Sequence, residues 1–212
     1  MFKNRQEAGR GLVEKLKKFK GPKTLVLGLA RGGVVMASEI AKALGASLDV
    51  LVVKKIGAPG NEELAIGAVG PDEVVVWDKE LCQRLGVDKK VKSEKLKVKS
   101  EERQEKERFL RGGKPPSDLV GKTVVLVDDG IATGATAKAA ITWIKTQNPE
   151  KLILAIPVAP PDSVEKLKPI VDELICLQVE PDFWAVGQFY REFPQVEDEE
   201  VIQLLGSVGY RV

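Results

Sequence analysis

Short apolar runs without polar alternation recur along the chain, separated by stretches whose apolar residues fall at helical spacing. TLVLGLA (24–30), LDVLVVKKI (48–56), EVVVW (73–77), TVVLVDD (123–129), KLILAIPVA (151–159) and ELICLQV (173–179) read as buried strands. Leu12, Val13, Leu16 and Phe19 mark a helix over 5–19, which GPK ends. Further helices are expected over 34–45, with Gly45 as the stop, over 133–147, around 162–168 and over the closing EDEEVIQLL. GAPGNEELAIGAVGPDE reads as loop and turn. Solid apolar strands alternating with helices describe an α/β fold, a parallel sheet with helices on both faces.

Residues 88–111 break this rhythm. DKKVKSEKLKVKSEERQEKERFLR is rich in Lys and Arg, with Glu interleaved and few apolar positions. The mixed signs predict a solvated helix. The sharper alternative is a charged lid over an anionic substrate. The segment is balanced by Glu and poor in aromatics, so nucleic acid is not the expected partner.

Composition narrows the chemistry. A chain of 212 residues fits one domain, and its net charge of +2 creates no global field for polyanions or lipid. No apolar run approaches the length needed to span a bilayer, and MFKNRQEAGR lacks an apolar signal core, so a cytoplasmic protein is expected. Cys82 and Cys176 are far apart and read as ordinary thiols. The absence of histidine removes every Ser-His-Asp, Cys-His and His-metal mechanism. Carboxylates, Lys, Arg, hydroxyls, backbone amides and a metal carried by the substrate remain.

The chemistry concentrates in VVLVDDGIATGATAKAA (124–140). In parallel sheets, ligands collect at the carboxyl ends of strands. Gly130, Ala132, Gly134 and Ala135 leave the backbone bare there. Their amides and the start of the next helix can face an anion, and Thr133 and Thr136 add hydroxyl donors. No GxxxxGK[ST] is present, so a single terminal phosphate fits better than a polyphosphate. Asp128 and Asp129 precede this cradle and suit sugar hydroxyls, a metal, or an oxocarbenium-like transition state. A sugar 5-phosphate spans acids and cradle.

VVLVDDGIATGAT resembles the diphosphoribosyl-binding signature of type I phosphoribosyltransferases. The resemblance implies a parallel sheet with a small hood, and 5-phosphoribosyl 1-diphosphate with Mg2+ as substrate. Asp128 and Asp129 would then hold the ribose hydroxyls and the metal, and Gly130 with 132–136 the 5-phosphate. GLARGG (28–33) resembles the family's diphosphate loop, where a cis peptide often precedes the glycines; Arg31, Gly32 and Gly33 would hold the leaving group. Lys54 and Lys55, placed at the end of the second strand, would reach the same diphosphate. GAPGNEELAIGAV resembles a smaller branch of the family, sometimes fused to hydrolase domains; its Glu62 and Glu63 are candidate acids or bases, or plain loop carboxylates.

EPDFWAVGQFYREFP (180–194) is similar to the base-binding segment of hypoxanthine-guanine members, with Trp184 in the stacking position and Phe183 beside it. Those members carry an aspartate where this chain has Ala132, and often a lysine where it has Ala135, so the acceptor is not a 6-oxopurine on this pattern. The chain is expected to be one domain, 1–212, with 88–111 an insertion or lid and about 180–212 part of the hood. Two functions fit: a transferase of nucleotide metabolism, homodimeric as its family often is, passing the phosphoribosyl group to a base; or a regulator that binds the sugar diphosphate without turnover. Thr136→Val is expected to weaken ribose 5-phosphate binding in a calorimetric titration; unchanged affinity would remove that hydroxyl from the cradle.

Overall fold

The computed structural model describes residues 1–208. Five parallel strands form the large sheet, in the order β2-β1-β6-β7-β8. These are β1 Thr24–Leu29, β2 Ser47–Leu51, β6 Thr123–Val127, β7 Lys151–Ala159 and β8 Glu173–Val179. β1 is buried along its whole length, as a central strand covered on both faces must be. α1 (Arg5–Leu16) and α2 (Gly32–Leu44) cover one face through Leu12, Leu16, Met36 and Ile40. α5 (Ala135–Thr146) and α6 (Pro161–Leu167) cover the other through Ile141, Trp143, Ile144 and Leu167. Pro157 is tolerated inside β7 because the ladder with β6 already ends at Ala155.

The sequence reading fails in one region. The expected strand 48–56 is two strands: β2 ends at Leu51, and β3 (Lys54–Ala58) belongs to a second sheet. The expected loop after it contains β4 (Asn61–Val69), a nine-residue strand paired antiparallel with β3 and with β5 (Val75–Trp77). Glycines and adjacent acids hid it. The first four residues of β4 are exposed and the last four buried, so neither alternation nor a solid apolar run marks its length. Pro59 and Gly60 form the hairpin turn, with Gly60 at φ 74°. The helix α3 (Lys79–Arg84) was likewise not expected; the Asp78 side chain caps it. Ile56, Ile66, Val69, Leu81, Cys82 and Val87 form a separate small core under this sheet.

Residues 88–111 form one long helix, α4 (Lys89–Leu110), capped by Asp88. It is less solvated than its charges suggest, for Arg103 and Leu110 are buried. Arg111 follows it into the interior. Its Nε lies 3.0 Å from Asp49 Oδ1, a carboxylate at 0% exposure in the middle of β2. Asp49 also accepts the amides of Val50 and Ser117, at 2.6 and 2.9 Å, and Arg111 donates to Val50 O at 2.8 Å. A charge this deep is tolerable only when fully partnered.

The closing helix α7 (Asp198–Ser207) packs Val201 and Leu205 into the core beneath α2, and touches α4 through the Lys106–Asp198 pair. Residues 209–212 of the expected hood segment lie outside the described residues. No described helix is long and apolar enough to cross a membrane. Arg111→Ala strands Asp49 and is expected to cost about 3–5 kcal/mol in urea unfolding; a loss under about 1 kcal/mol, as for a surface pair, would contradict this account of the interior charge.

Candidate functional site

β1 and β6 lie side by side with Gly28 opposite Val127, so the two loops that follow them emerge together at the sheet's carboxyl edge. The chain that leaves β6 carries Asp128 and Asp129 just past the strand. The Ile131 amide then donates to Val158 O of β7, 3.0 Å away, which folds the loop back along the longer strand. Gly134, at φ 78°, turns it into α5. Ser163 of α6 donates to Ala132 O, and Leu167 closes on Gly134, so the second layer fixes the loop from behind. The first-turn amides of α5 have no intrahelical partner.

A cleft of about 310 Å³ opens over residues 128–137, bordered by Ala30, Val53, Lys55 and Val186. Every residue expected in the phosphate cradle, Gly130, Ala132, Thr133, Gly134, Ala135 and Thr136, lines it with Asp128 and Asp129. Lys55 stands on its rim. Lys54 does not line it; its Nζ lies 3.9 Å from Glu102 of α4. Both lysines open β3 of the small sheet and do not end a strand of the large one, so the position inferred from a single strand 48–56 is corrected.

The glycine loop meets the acids from the other side. The Ala30–Arg31 peptide is cis, and α2 starts at Gly32. A Cβ on Gly33 would sit 2.5 Å from Val127 O, and one on Gly32 only 1.9 Å from Asp129 Oδ2. Bare backbone is what lets the N-terminus of α2 reach the end of β6. The Arg31 side chain turns away toward α7, 3.4 Å from Asp198 Oδ1 and 3.7 Å from Glu197 Oε2. Arg31 does not border the cleft, and neither do Gly32 and Gly33; Ala30 is the residue of this loop that does.

The two acids differ. Asp129 Oδ2 accepts from Arg5 Nε at 2.8 Å, and its carbonyl accepts from the Tyr190 hydroxyl at 2.6 Å. Asp128 Oδ1 accepts only the Asp129 amide, at 2.9 Å, and meets no cation at ion-pair distance among the described residues. Burial pushes Asp128 well above the usual carboxylate range, and the Asp129 charge pushes it further, against the more distant pull of Lys55 and Arg5. Burial also raises Asp129, but the Arg5 hydrogen bond and charge oppose the rise. Burial and the nearby acids hold the Tyr190 hydroxyl protonated, as a donor.

Arg5 and Tyr190 were not expected here. Arg5 is remote in sequence and sits in a segment read as an ordinary amphipathic helix; its only signal was a charge at the start of that helix. Phe183 packs on Phe189, centroids 4.9 Å apart, and Trp184 is 90% exposed. Neither borders the cleft; Val186 of the same segment does, with its Cγ1 against Gly130. Glu62 pairs with Lys95 of α4, which holds its carboxyl below the ordinary range. Cys82 is buried, and burial pushes the Cys176 thiol up to about 11, so neither is poised as a nucleophile.

The model of the phosphoribosyl transferase domain matches residues 3–194. The chain belongs to that family. A Mycobacterium tuberculosis protein named "Putative phosphoribosyl transferase" is 42% identical over 205 residues, 97% of this chain. The match covers 46% of that protein, so the chain spans about half the length of the curated relatives it matches. The crystal structure of TT1426 from Thermus thermophilus superposes with a TM-score of 0.81 at 39% identity, over 96% of this chain and 97% of that one. A purine phosphoribosyltransferase of Pyrococcus horikoshii shares the fold, with a TM-score of 0.51 at 21% identity over 91% and 92% of the two chains. In this phosphoribosyl transferase domain, Gly32→Ala drives a methyl group into Asp129. The expected cost is about 1–3 kcal/mol of stability in urea unfolding; an unchanged midpoint would show that the loop can move aside and that the close approach is not required.

Proposed function

We propose that the chain transfers the 5-phosphoribosyl group from 5-phosphoribosyl 1-diphosphate to a nitrogenous base and releases diphosphate. The observation that carries this reading is a cleft lined by two carboxylates and the bare loop into α5, with the glycine loop into α2 packed against the same acids. The start of α5 with loop 132–136 would form one anion site in the cleft, and the start of α2, which follows Ala30 on the cleft's rim, would supply the other. Asp128 lies between them. A sugar with phosphate at one end and diphosphate at the other has this distribution of charge.

In this reading the amides of 132–136 and the Thr133 and Thr136 hydroxyls fix the 5-phosphate and so orient the sugar. Asp128 accepts from the ribose hydroxyls. As the bond from C1 to the diphosphate oxygen breaks, positive charge grows on the ring, and the Asp128 carboxylate faces it. The Gly32 and Gly33 amides and the Lys55 ammonium take up the negative charge of the departing diphosphate. A lone pair on the base nitrogen forms the new bond at C1, and the nitrogen's proton leaves to solvent. Lys54 and Arg31 support the site from behind, through Glu102 and α7.

Magnesium fits one carboxylate of the pair. Asp129 is spent on Arg5, and no three Asp, Glu, Cys or His side chains cluster among the described residues. Mg2+ keeps several waters and takes one or two carboxylates with substrate phosphates, so Asp128 would hold it together with the diphosphate. When bound, it neutralises leaving-group charge.

A second reading has one observation in its favour. Among the described residues no aromatic side chain borders the cleft; Trp184 is exposed and Phe183 is stacked on Phe189. A regulator that binds the sugar diphosphate without turnover needs no such pocket. Calorimetric titration with magnesium 5-phosphoribosyl 1-diphosphate, then a diphosphate-release assay against a panel of bases, separates the two. Binding with release for one base is the expected result. Binding without release supports the regulator, and no binding overturns both.

A further inference from the structure

We infer that Arg5 is a positioning residue of the cleft, which ties Asp129 and segment 189–194 into one unit and leaves Asp128 as the working acid. This rests on the transferase reading above and assigns a role the family signature does not reach.

The geometry is that of a built clamp. Arg5 is 7% exposed. Its Nε donates to Asp129 Oδ2 at 2.8 Å, and one terminal nitrogen donates to Pro194 O at 2.7 Å. Its guanidinium carbon lies 3.7 Å from the centre of the Phe193 ring. A planar fork that bonds in two directions and stacks on a ring suits Arg and not Lys. The floor of the clamp is Gly32, where a Cβ would stand 2.9 Å from Arg5 Nε. Arg5 thus touches the acid pair, the glycine loop and the segment carrying Val186.

The chain around Arg5 strengthens the tie. The Phe2 amide donates to Phe189 O at 2.8 Å; the Arg191 and Glu192 amides donate to Phe2 O and Lys3 O, each at 2.9 Å. Phe2 packs on Tyr190, and the Tyr190 hydroxyl returns to the Asp129 carbonyl. The first five residues therefore run beside 189–194 and end on the acid pair.

The chemical need is plain. Two adjacent carboxylates facing a trianionic or more highly charged ligand repel it twice. A buried guanidinium on one of them halves that repulsion and fixes its rotamer, while the other stays free to meet the sugar. Loss of Arg5 leaves Asp129 unpaired beside Asp128, and the sugar end of the site suffers while the cradle at 132–136 does not.

The test is titration of the full chain with magnesium 5-phosphoribosyl 1-diphosphate and, separately, inorganic phosphate, for Arg5→Ala, Arg5→Lys, Asp129→Asn and the Arg5→Ala/Asp129→Asn pair. Arg10→Ala, which breaks only an exposed pair on the same helix, is the control. Arg5→Ala is expected to weaken the sugar diphosphate by about tenfold. Phosphate affinity should stay within about twofold, because Arg5 bonds Asp129 and Pro194 and makes no hydrogen bond to residues 130–136. Arg5→Lys should recover part of the loss, and the double variant should lose no more than the worse single. Equal losses for both anions, additive losses, or no loss would overturn the assignment while leaving the transferase reading intact. Failure of the unaltered chain to bind the sugar diphosphate would instead overturn that reading and the inference with it. Should Arg5→Ala fail to fold, the Arg5→Lys split decides.

Discussion

The structure depends on one close approach: the backbone at the start of α2 against the backbone at the end of β6. Gly33 lies where any side chain would strike Val127 O, and Gly32 where it would strike Asp129. Because the two strands before these loops are hydrogen-bonded neighbours, the loops have no other room. This places two helix N-termini and two carboxylates at one sheet edge. The rest of the molecule supports that edge. α6 holds the 130–134 loop from behind through Ser163 and Leu167, and Arg5 holds Asp129, just before it.

The charges are arranged by the same logic. A desolvated carboxylate pair is costly unless something offsets it, and this chain offsets only half. Arg5 neutralises Asp129, Tyr190 bonds its carbonyl, and Asp128 is left with one amide donor. Both acids line the cleft, and Asp128 is the one that no cation among the described residues meets at ion-pair distance. Elsewhere the chain treats charge differently. Asp49 and Arg111 are buried and fully partnered, and they pin the end of α4 to the outer strand β2. Arg31 and Lys106 both meet Asp198, which ties the glycine loop and α4 to the last helix.

Much of this was legible in the sequence, and the rest was not for identifiable reasons. The solid apolar runs at 24–30, 123–127 and 151–159 are strands, because a strand buried on both faces has no polar alternation to hide it; 173–179 is a strand too, at the sheet edge and only partly buried. That residues 130–136 border a cleft beside the two acids was legible because small residues after a buried strand have few uses other than close approach. The 54–77 sheet was missed because its strands are half exposed and rich in glycine, so its pattern resembles a loop. Arg5 was missed because long-range pairs leave no mark in local pattern. Lys54 opens β3 where the end of a strand was expected, and the Arg31 and Lys54 side chains meet Asp198 and Glu102, partners distant in sequence. The aromatics Phe183 and Trp184 are in the segment that borders the cleft, yet only Val186 reaches it.

The central claim is a division of labour at one sheet edge: cradle, free acid and braced acid. A crystal structure with ribose 5-phosphate and magnesium tests it most directly. The account predicts the phosphate on the amides of 132–136, the sugar hydroxyls against Asp128, and Asp129 still bonded to Arg5. A phosphate bound elsewhere, or Asp129 released from Arg5 to take the sugar itself, would contradict it.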